Sequence, residues 1–301
     1  MRRQIGSHPS SDATKTKGST AGRLQRRTLR VWKQDYLHDK YLWPNLEWAS
    51  RTALECIGSD CPKVHDIGCG HKPYRDLFPR AQHWGMDHGI VDTSPDFVGD
   101  ALCLSIRDQS VDIVFATQVI EHLTNPHVMV RECKRVLRPN GCLILSGPFF
   151  WPLHEEPYDF FRFPKYGFEQ LLEDAGFLKW QILEDGGDWA QMMLSVCLRL
   201  NKWLFPLRCA VNLTGAFLDS VSKSTRLPAN YTCWPGFETG DRWERTPPEN
   251  STHAGTLLHR PRHDFHAPSS YRDSGMHCRA ILERNVLPTR QGGAANENPH
   301  N

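Results

Sequence analysis

The chain has 301 residues, 39% of them hydrophobic, enough to bury a sizeable core in one large domain or two ordinary ones. Its net charge of +2 hides three unlike parts: residues 1–33 hold nine Lys/Arg against one acid, residues 34–231 carry a net of −6, and residues 232–301 balance eight Arg with eight acids. An integral membrane protein is excluded, because Arg199, Lys202 and Arg208 interrupt the most apolar stretch, Met192 to Val221, and no apolar run follows Arg2 and Arg3 as a secretory signal would require.

In chain order, residues 1–33 are polar, basic and Gly/Ser/Thr-rich, which reads as a disordered arm. From Tyr36 to Ile57 apolar residues recur at spacings of three and four, predicting a helical cap over residues 34–60 that Pro44 breaks. A cofactor-binding core follows over residues 62–187. Lys63 to Ile67, Gln82 to Asp87 and Val111 to Ala116 read as strands. Thr124 caps a helix running to Leu137, and Cys142 to Ser146 is a further strand. Pro164 opens a helix from Tyr166 to Ala175, and Leu178 to Leu183 is the next strand. Strand and helix alternating with short connections predicts a mostly parallel sheet with helices on both faces. Residues 188–226 read as an apolar helical insertion divided by Pro206, in which Trp189, Trp203 and Phe205 are expected in the core or over the pocket. After Tyr231 neither period persists and Pro235 interrupts the pattern, so residues 232–301 are read as a disordered or frame-shifted tail that cuts the last strand short. Ten cysteines without a Cys-x-x-Cys pair are read as free thiols of a reducing compartment, the cytoplasm, and no metal site is expected.

The strongest local signal is Asp66-Ile67-Gly68-Cys69-Gly70-His71-Lys72-Pro73. Glycines at the end of a first strand permit a tight turn and close backbone approach to a nucleotide-like ligand. Asp87 ends the second strand, where a carboxylate can accept both ribose hydroxyls, and Asp100 ends the third short run. Three acids at successive strand ends would face one crevice.

With Val111-Asp112-Ile113-Val114-Phe115, Gln118-Val119-Ile120-Glu121-His122-Leu123 and Leu137-Arg138-Pro139-Asn140-Gly141, this ordered series resembles the class I S-adenosylmethionine-dependent methyltransferases, most closely their type 11 branch. The resemblance covers roughly residues 62–231. It implies an α/β, Rossmann-like fold with a seven-stranded sheet whose last strand is antiparallel, and S-adenosyl-L-methionine as cofactor. It also assigns Asp66 and the Gly68 and Gly70 backbone to the methionine end, Asp87 to the ribose, Asp100 and the Ala101 amide to the adenine, and Gln118 to the sulfonium. The family's third glycine is replaced by Lys72 or Pro73, which implies altered contacts near the methionine moiety.

A second distinctive segment, Pro148 to Phe163, interleaves seven aromatic residues with His154, Glu155, Glu156, Asp159 and Arg162. It resembles a segment found in a subset of the same branch. Following directly on the fifth strand, it would form a lid with an aromatic wall, in which His154 or Glu155 removes a proton from a hydroxyl or amine. His122 is read as a capping or hydrogen-bonded residue. The acceptor is expected to be a small polar molecule rather than nucleic acid, because the core's net −6 opposes a phosphate backbone. Two other readings stay open at this point: a nicotinamide-dependent oxidoreductase, and a non-catalytic module whose basic arm binds nucleic acid.

Overall fold

The computed structural model describes residues 29–89, 93–222, 228 and 230–235. Helix α1 (Tyr36–Ile57) precedes strand β1 (Lys63–Ile67), followed by β2 (Gln82–Asp87), β3 (Phe97–Val98) and β4 (Val111–Thr117). Helix α2 (Pro126–Val136), β5 (Leu137–Pro148), α3 (Lys165–Asp174) and β6 (Trp180–Asp185) come next. Then α4 (Asp188–Arg199), α5 (Phe205–Ser222) and β7 (Asn230–Pro235) complete the order. One seven-stranded sheet runs β3-β2-β1-β4-β5-β7-β6. Strands β1 to β5 pair in parallel, and β7 is antiparallel to both its neighbours.

The strand alternation sorts the core into two layers. On one face Val64, Ile113, Phe115, Ile144 and Leu183 pack against Leu42, Leu46, Ala49 and Ala53 of α1. On the other, Ile67, Val114, Ala116, Leu143 and Leu145 pack against apolar residues of α2 and α3 such as Met129, Val130, Phe168 and Leu172. All seven residues of β4 are buried, as a central parallel strand covered on both faces requires. A sheet with helices on both sides, parallel except for its seventh strand, is the arrangement that the sequence resemblance implied.

Four local expectations are corrected. Helix α1 runs unbroken through Pro44. Its buried stripe continues across the proline, and Asn45 fixes the next turn by donating to the Glu184 carbonyl and to Asp185 Oδ1. The cap of α2 is Asn125, whose side chain accepts from the Val128 N–H, rather than Thr124. Pro206 lies in the first turn of α5, where a missing N–H costs little, and the break between α4 and α5 falls just before it. Trp203 and Phe205 are exposed, at 79% and 58%, because the face of α5 turned inward is polar: Arg208, Asn212, Gly215 and Asp219. Asp219 accepts from the N–H groups of Gly187 and Ala190 at the start of α4, and Asn212 donates to the carbonyls of Val31 and Lys33. Residues 31–33, counted with the arm in the sequence reading, are thus tied down onto α5.

The last strand is not cut at Tyr231. Strand β7 continues through Thr232, Cys233 and Trp234 to Pro235, which pairs in register with Trp180. Pro235 is the last residue of the strand and lies beyond Cys233, where the pairing of β7 with β5 stops. Residues 1–28 of the arm, and residues 236–301 with the frame-shift reading attached to them, lie outside the described residues.

Candidate active site

The carboxyl ends of β1, β2, β3 and β4 carry the motif residues along one edge of the sheet. After β1 the chain turns through Gly68 (φ 64°), Gly70 (φ 50°) and Lys72 (φ 55°). At Gly68 a Cβ would sit 2.3 Å from Val119 Cγ2, so close approach as well as backbone conformation demands glycine. At Gly70 a Cβ would meet no atom within 4 Å, so the loop faces open space there. Lys72 takes a left-handed conformation that favours glycine. Its side chain folds in and pairs with Asp96, which also accepts from the Gly85 N–H.

Asp66 lies beneath this loop, buried against His83, whose Nε2 is 3.3 Å from Asp66 Oδ2. Burial pushes the Asp66 carboxyl above its ordinary range, and His83 opposes that. Asp87 joins loop and sheet. Its Oδ2 accepts from the Gly70 N–H at 2.9 Å and its Oδ1 from the His88 N–H at 2.8 Å. The Gly99 N–H donates to the Asp87 carbonyl, which brings Asp100 and Ala101 beside the end of β2. Asp100 is exposed, with Oδ1 accepting from the Leu102 N–H, while Ala101 is buried. Gln118 leaves β4 with φ 56°, and its Nε2 donates to Ser146 Oγ and Asn230 Oδ1, both at 3.2 Å. The structure therefore gathers Gly68, Gly70, Asp87, Asp100, Ala101 and Gln118 on one edge and puts Asp66 underneath.

The segment after β5 meets the same edge. His154 donates its backbone N–H to Asp159 Oδ2 at 3.0 Å, and its ring Nδ1 lies 3.2 Å from the same oxygen. Arg162 grips both oxygens of Asp159 and the carbonyls of Trp151, Pro152 and Phe161. The Arg162 guanidinium accordingly holds the Asp159 carboxyl well below the usual carboxylate range. Glu155 is exposed and carries a left-handed φ of 53°.

Three residues that sequence reasoning left out of the site complete it. His122 lies with its ring 4.8 Å from that of His154, edge to face, and its Nε2 is 3.7 Å from Glu155 Oε2 and 3.8 Å from Glu121 Oε1. Glu121 is fully buried, and neither carboxylate oxygen has a hydrogen-bond partner. Burial pushes its carboxyl up to about 8 against the opposing charge of Arg162. Its carbonyl accepts from the N–H groups of Phe160 and Phe161, docking the lid onto the end of β4. Asp159, the third, orients His154. The adjacent Glu121-His122 pair was the visible signal, but its meeting with His154, 32 residues on, is a product of the fold.

Residues 65–145 match the family described as "Methyltransferase domain". A protein of Mycolicibacterium smegmatis named "Probable S-adenosylmethionine-dependent methyltransferase" is 40% identical over 144 residues, spanning 42% of this chain and 55% of that protein. A protein of Mycobacterium tuberculosis with the same description is 42% identical over 81 residues, spanning 25% of this chain and 30% of its own length. The ubiquinone biosynthesis O-methyltransferase of Glaesserella parasuis is 25% identical over 152 residues, 41% of this chain and 64% of that one. The chain thus matches about half or less of the length of the first two relatives.

Proposed function

We propose, from the match of residues 65–145 and the likeness to S-adenosylmethionine-dependent methyltransferases, that the chain is a class I enzyme of that kind and methylates a hydroxyl, amine or carbon of a small polar acceptor bound under the segment Pro148 to Phe163. The observation that carries the reading is the hydrogen bond from the Gly70 N–H to Asp87 Oδ2, made beside the open space over Gly70. It locks the glycine loop to the end of β2 in the arrangement a nucleoside cofactor needs: backbone on one side, a carboxylate on the other. The residues fit S-adenosylmethionine. The remaining lone pairs of Asp87 suit its ribose hydroxyls, Asp100 and the Ala101 amide its adenine, the Gly68 and Gly70 backbone with Asp66 behind it the methionine end, and Gln118 the sulfonium.

The cofactor brings an already electrophilic methyl group, so the chain's part is to align the acceptor and hold the displaced proton. Exposed Phe150, Tyr158 and Phe160 supply an apolar wall, with His154 and Glu155 as the proton acceptors. Both acceptors at the His154 Nδ1, Asp159 and the Pro152 carbonyl, are oxygens, so Nδ1 carries the proton and Nε2 keeps its lone pair. The net −6 of residues 34–231 supports a small acceptor over a nucleic acid. Among the described residues no helix is long and apolar enough to cross a membrane. All nine described cysteines are free thiols, which supports a cytoplasmic setting. The test is S-adenosylhomocysteine release by the purified chain against pooled metabolites, with calorimetry of S-adenosylmethionine beside it. A chain that binds no S-adenosylmethionine would overturn the reading.

A further inference from the structure

We propose that Glu121, His122 and His154 hold a divalent transition-metal ion, with zinc as the representative, at the junction of β4 and the lid. The three donor atoms already lie within 4.8 Å of one another. An ion bonded at 2.0 to 2.2 Å in tetrahedral geometry needs its ligands about 3.4 Å apart, so the exposed loop that carries His154 has only a small inward movement to make.

The tautomers are set for it. His122 Nδ1 lies 2.6 Å from the Tyr158 carbonyl oxygen, which can only accept. The proton is therefore on Nδ1, and the Nε2 lone pair points among Glu121 and Glu155. His154 repeats the pattern with Asp159 at its Nδ1, and Arg162 holds Asp159. A histidine whose outer N–H is fixed by a carbonyl or carboxylate while its other nitrogen is left free is the outer-shell arrangement of metal-binding histidines.

The independent observation is Glu121. A fully buried carboxyl group that no other residue's hydrogen-bond donor reaches on either oxygen is a costly feature that folding does not require. Its Oε2 lies 3.8 Å from where a Cβ on Gly147 of β5 would be, which places the carboxyl group beside the end of that strand, out of solvent. A cation between Glu121 and the two imidazoles would satisfy it. Two imidazoles and one carboxylate suit zinc, iron or nickel over magnesium or calcium, which prefer oxygen throughout. The sequence hid this site because the expectation of no metal rested on Cys and His spacing.

With the ion bound, His154 Nε2 is a ligand and Glu155 is left as the proton acceptor. Ion binding itself stands apart from the methyl-transfer reading. The test uses the full chain, stripped with EDTA and freed of chelator. It is titrated with Zn2+ against a chromophoric chelator and separately with Co2+. The expected result is one equivalent bound, a Co2+ spectrum without thiolate charge-transfer bands, and loss of that equivalent in Glu121→Gln and His154→Ala. Asp159→Asn, which weakens the outer-shell contact to the His154 ring along with the Arg162 pairing, lowers the affinity 10- to 100-fold, the range for outer-shell residues. His154 sits on an exposed loop, so the metal-free unfolding midpoint of His154→Ala should match that of the parent and separate a lost ligand from a lost fold. No stoichiometric ion, an affinity untouched by His154→Ala, or a Co2+ spectrum dominated by thiolate bands overturns the inference. Intact ion binding with no cofactor binding would count against methyl transfer alone.

Discussion

Asp87→Ala is the most informative perturbation of the cofactor site, because one carboxylate does two jobs there. In the protein by itself it accepts from the Gly70 and His88 N–H groups at 2.9 and 2.8 Å. With cofactor bound it would also receive the ribose hydroxyls. A hydrogen bond to a charged group contributes roughly 1.5 to 3 kcal/mol. Loss of the ribose contact alone therefore weakens S-adenosylmethionine binding about 10- to 150-fold, at about 1.4 kcal/mol per tenfold. Release of the Gly70 N–H adds to this, because a loop no longer pinned to β2 must be ordered by the ligand. Asp87→Asn separates the two contributions: its single carbonyl oxygen can keep the Gly70 bond, so its loss should be the smaller. Calorimetry well below the unfolding midpoint of each variant reads this directly. Unchanged affinity in Asp87→Ala would refute the ribose assignment, and equal losses in Asp87→Ala and Asp87→Asn would refute the pinning argument.

Gly68→Ala and Gly70→Ala should part company. Both incur the left-handed backbone cost of about 1 to 2 kcal/mol, but only the methyl added at Gly68 would also push Val119 aside. Urea unfolding should rank Gly68→Ala less stable, while Gly70→Ala, which fills the open space over the loop, should chiefly weaken cofactor binding. In the ion-free protein, His154→Gln should leave S-adenosylmethionine affinity unchanged and lower turnover by ~100-fold or more; normal turnover there would return the lid to a structural role. Asp185 gives a pH signature. It is buried among Asn45, Asn230 and Thr232, and burial raises its carboxyl to about 6 despite those donors. A carboxyl raised above its unfolded value near 3.9 favours the protonated fold, so its contribution is fully present below about pH 4. That contribution is lost as pH rises to about 6, a fall of about 3 kcal/mol. Urea titrations of Asp185→Asn between pH 4 and 7 should lack this slope whatever their absolute stability, and a slope equal to the parent's would exclude Asp185 as its source.

The strands of the core were legible because each reports on its own surroundings: Lys63 to Ile67 and Gln82 to Asp87 recur in the structure at the same bounds. The glycine loop, Asp87, Asp100 and Gln118 were legible for the same reason, since each lies at or just past the end of a strand. What escaped was decided by residues far apart in the chain. Pro44 reads as a breaker until Asn45 is seen bonded to β6. Thr232 to Pro235 lack any strand signal of their own, and only the slot between β5 and β6 makes a strand of them. Trp203 and Phe205 are apolar enough for a core, yet the polar side of α5 won the interior through the bonds of Asn212 and Asp219. The Glu121, His122 and His154 cluster needs the lid folded back against β4, which no periodicity encodes.

The position of β7 also fixes an order of assembly. Among the described strands it is the last to be synthesised, yet it lies inside the sheet and is the only neighbour of β6. Until the ribosome has released Asn230 to Pro235, β5 presents a bare edge and β6 has nothing to pair with. Gln118 likewise waits for Asn230, a partner 112 residues downstream. Such non-local closure slows folding and leaves strand edges exposed to other chains in the meantime. A nascent chain stalled before Asn230 should accordingly bind chaperones or aggregate, and release of only a few more residues should let the sheet close.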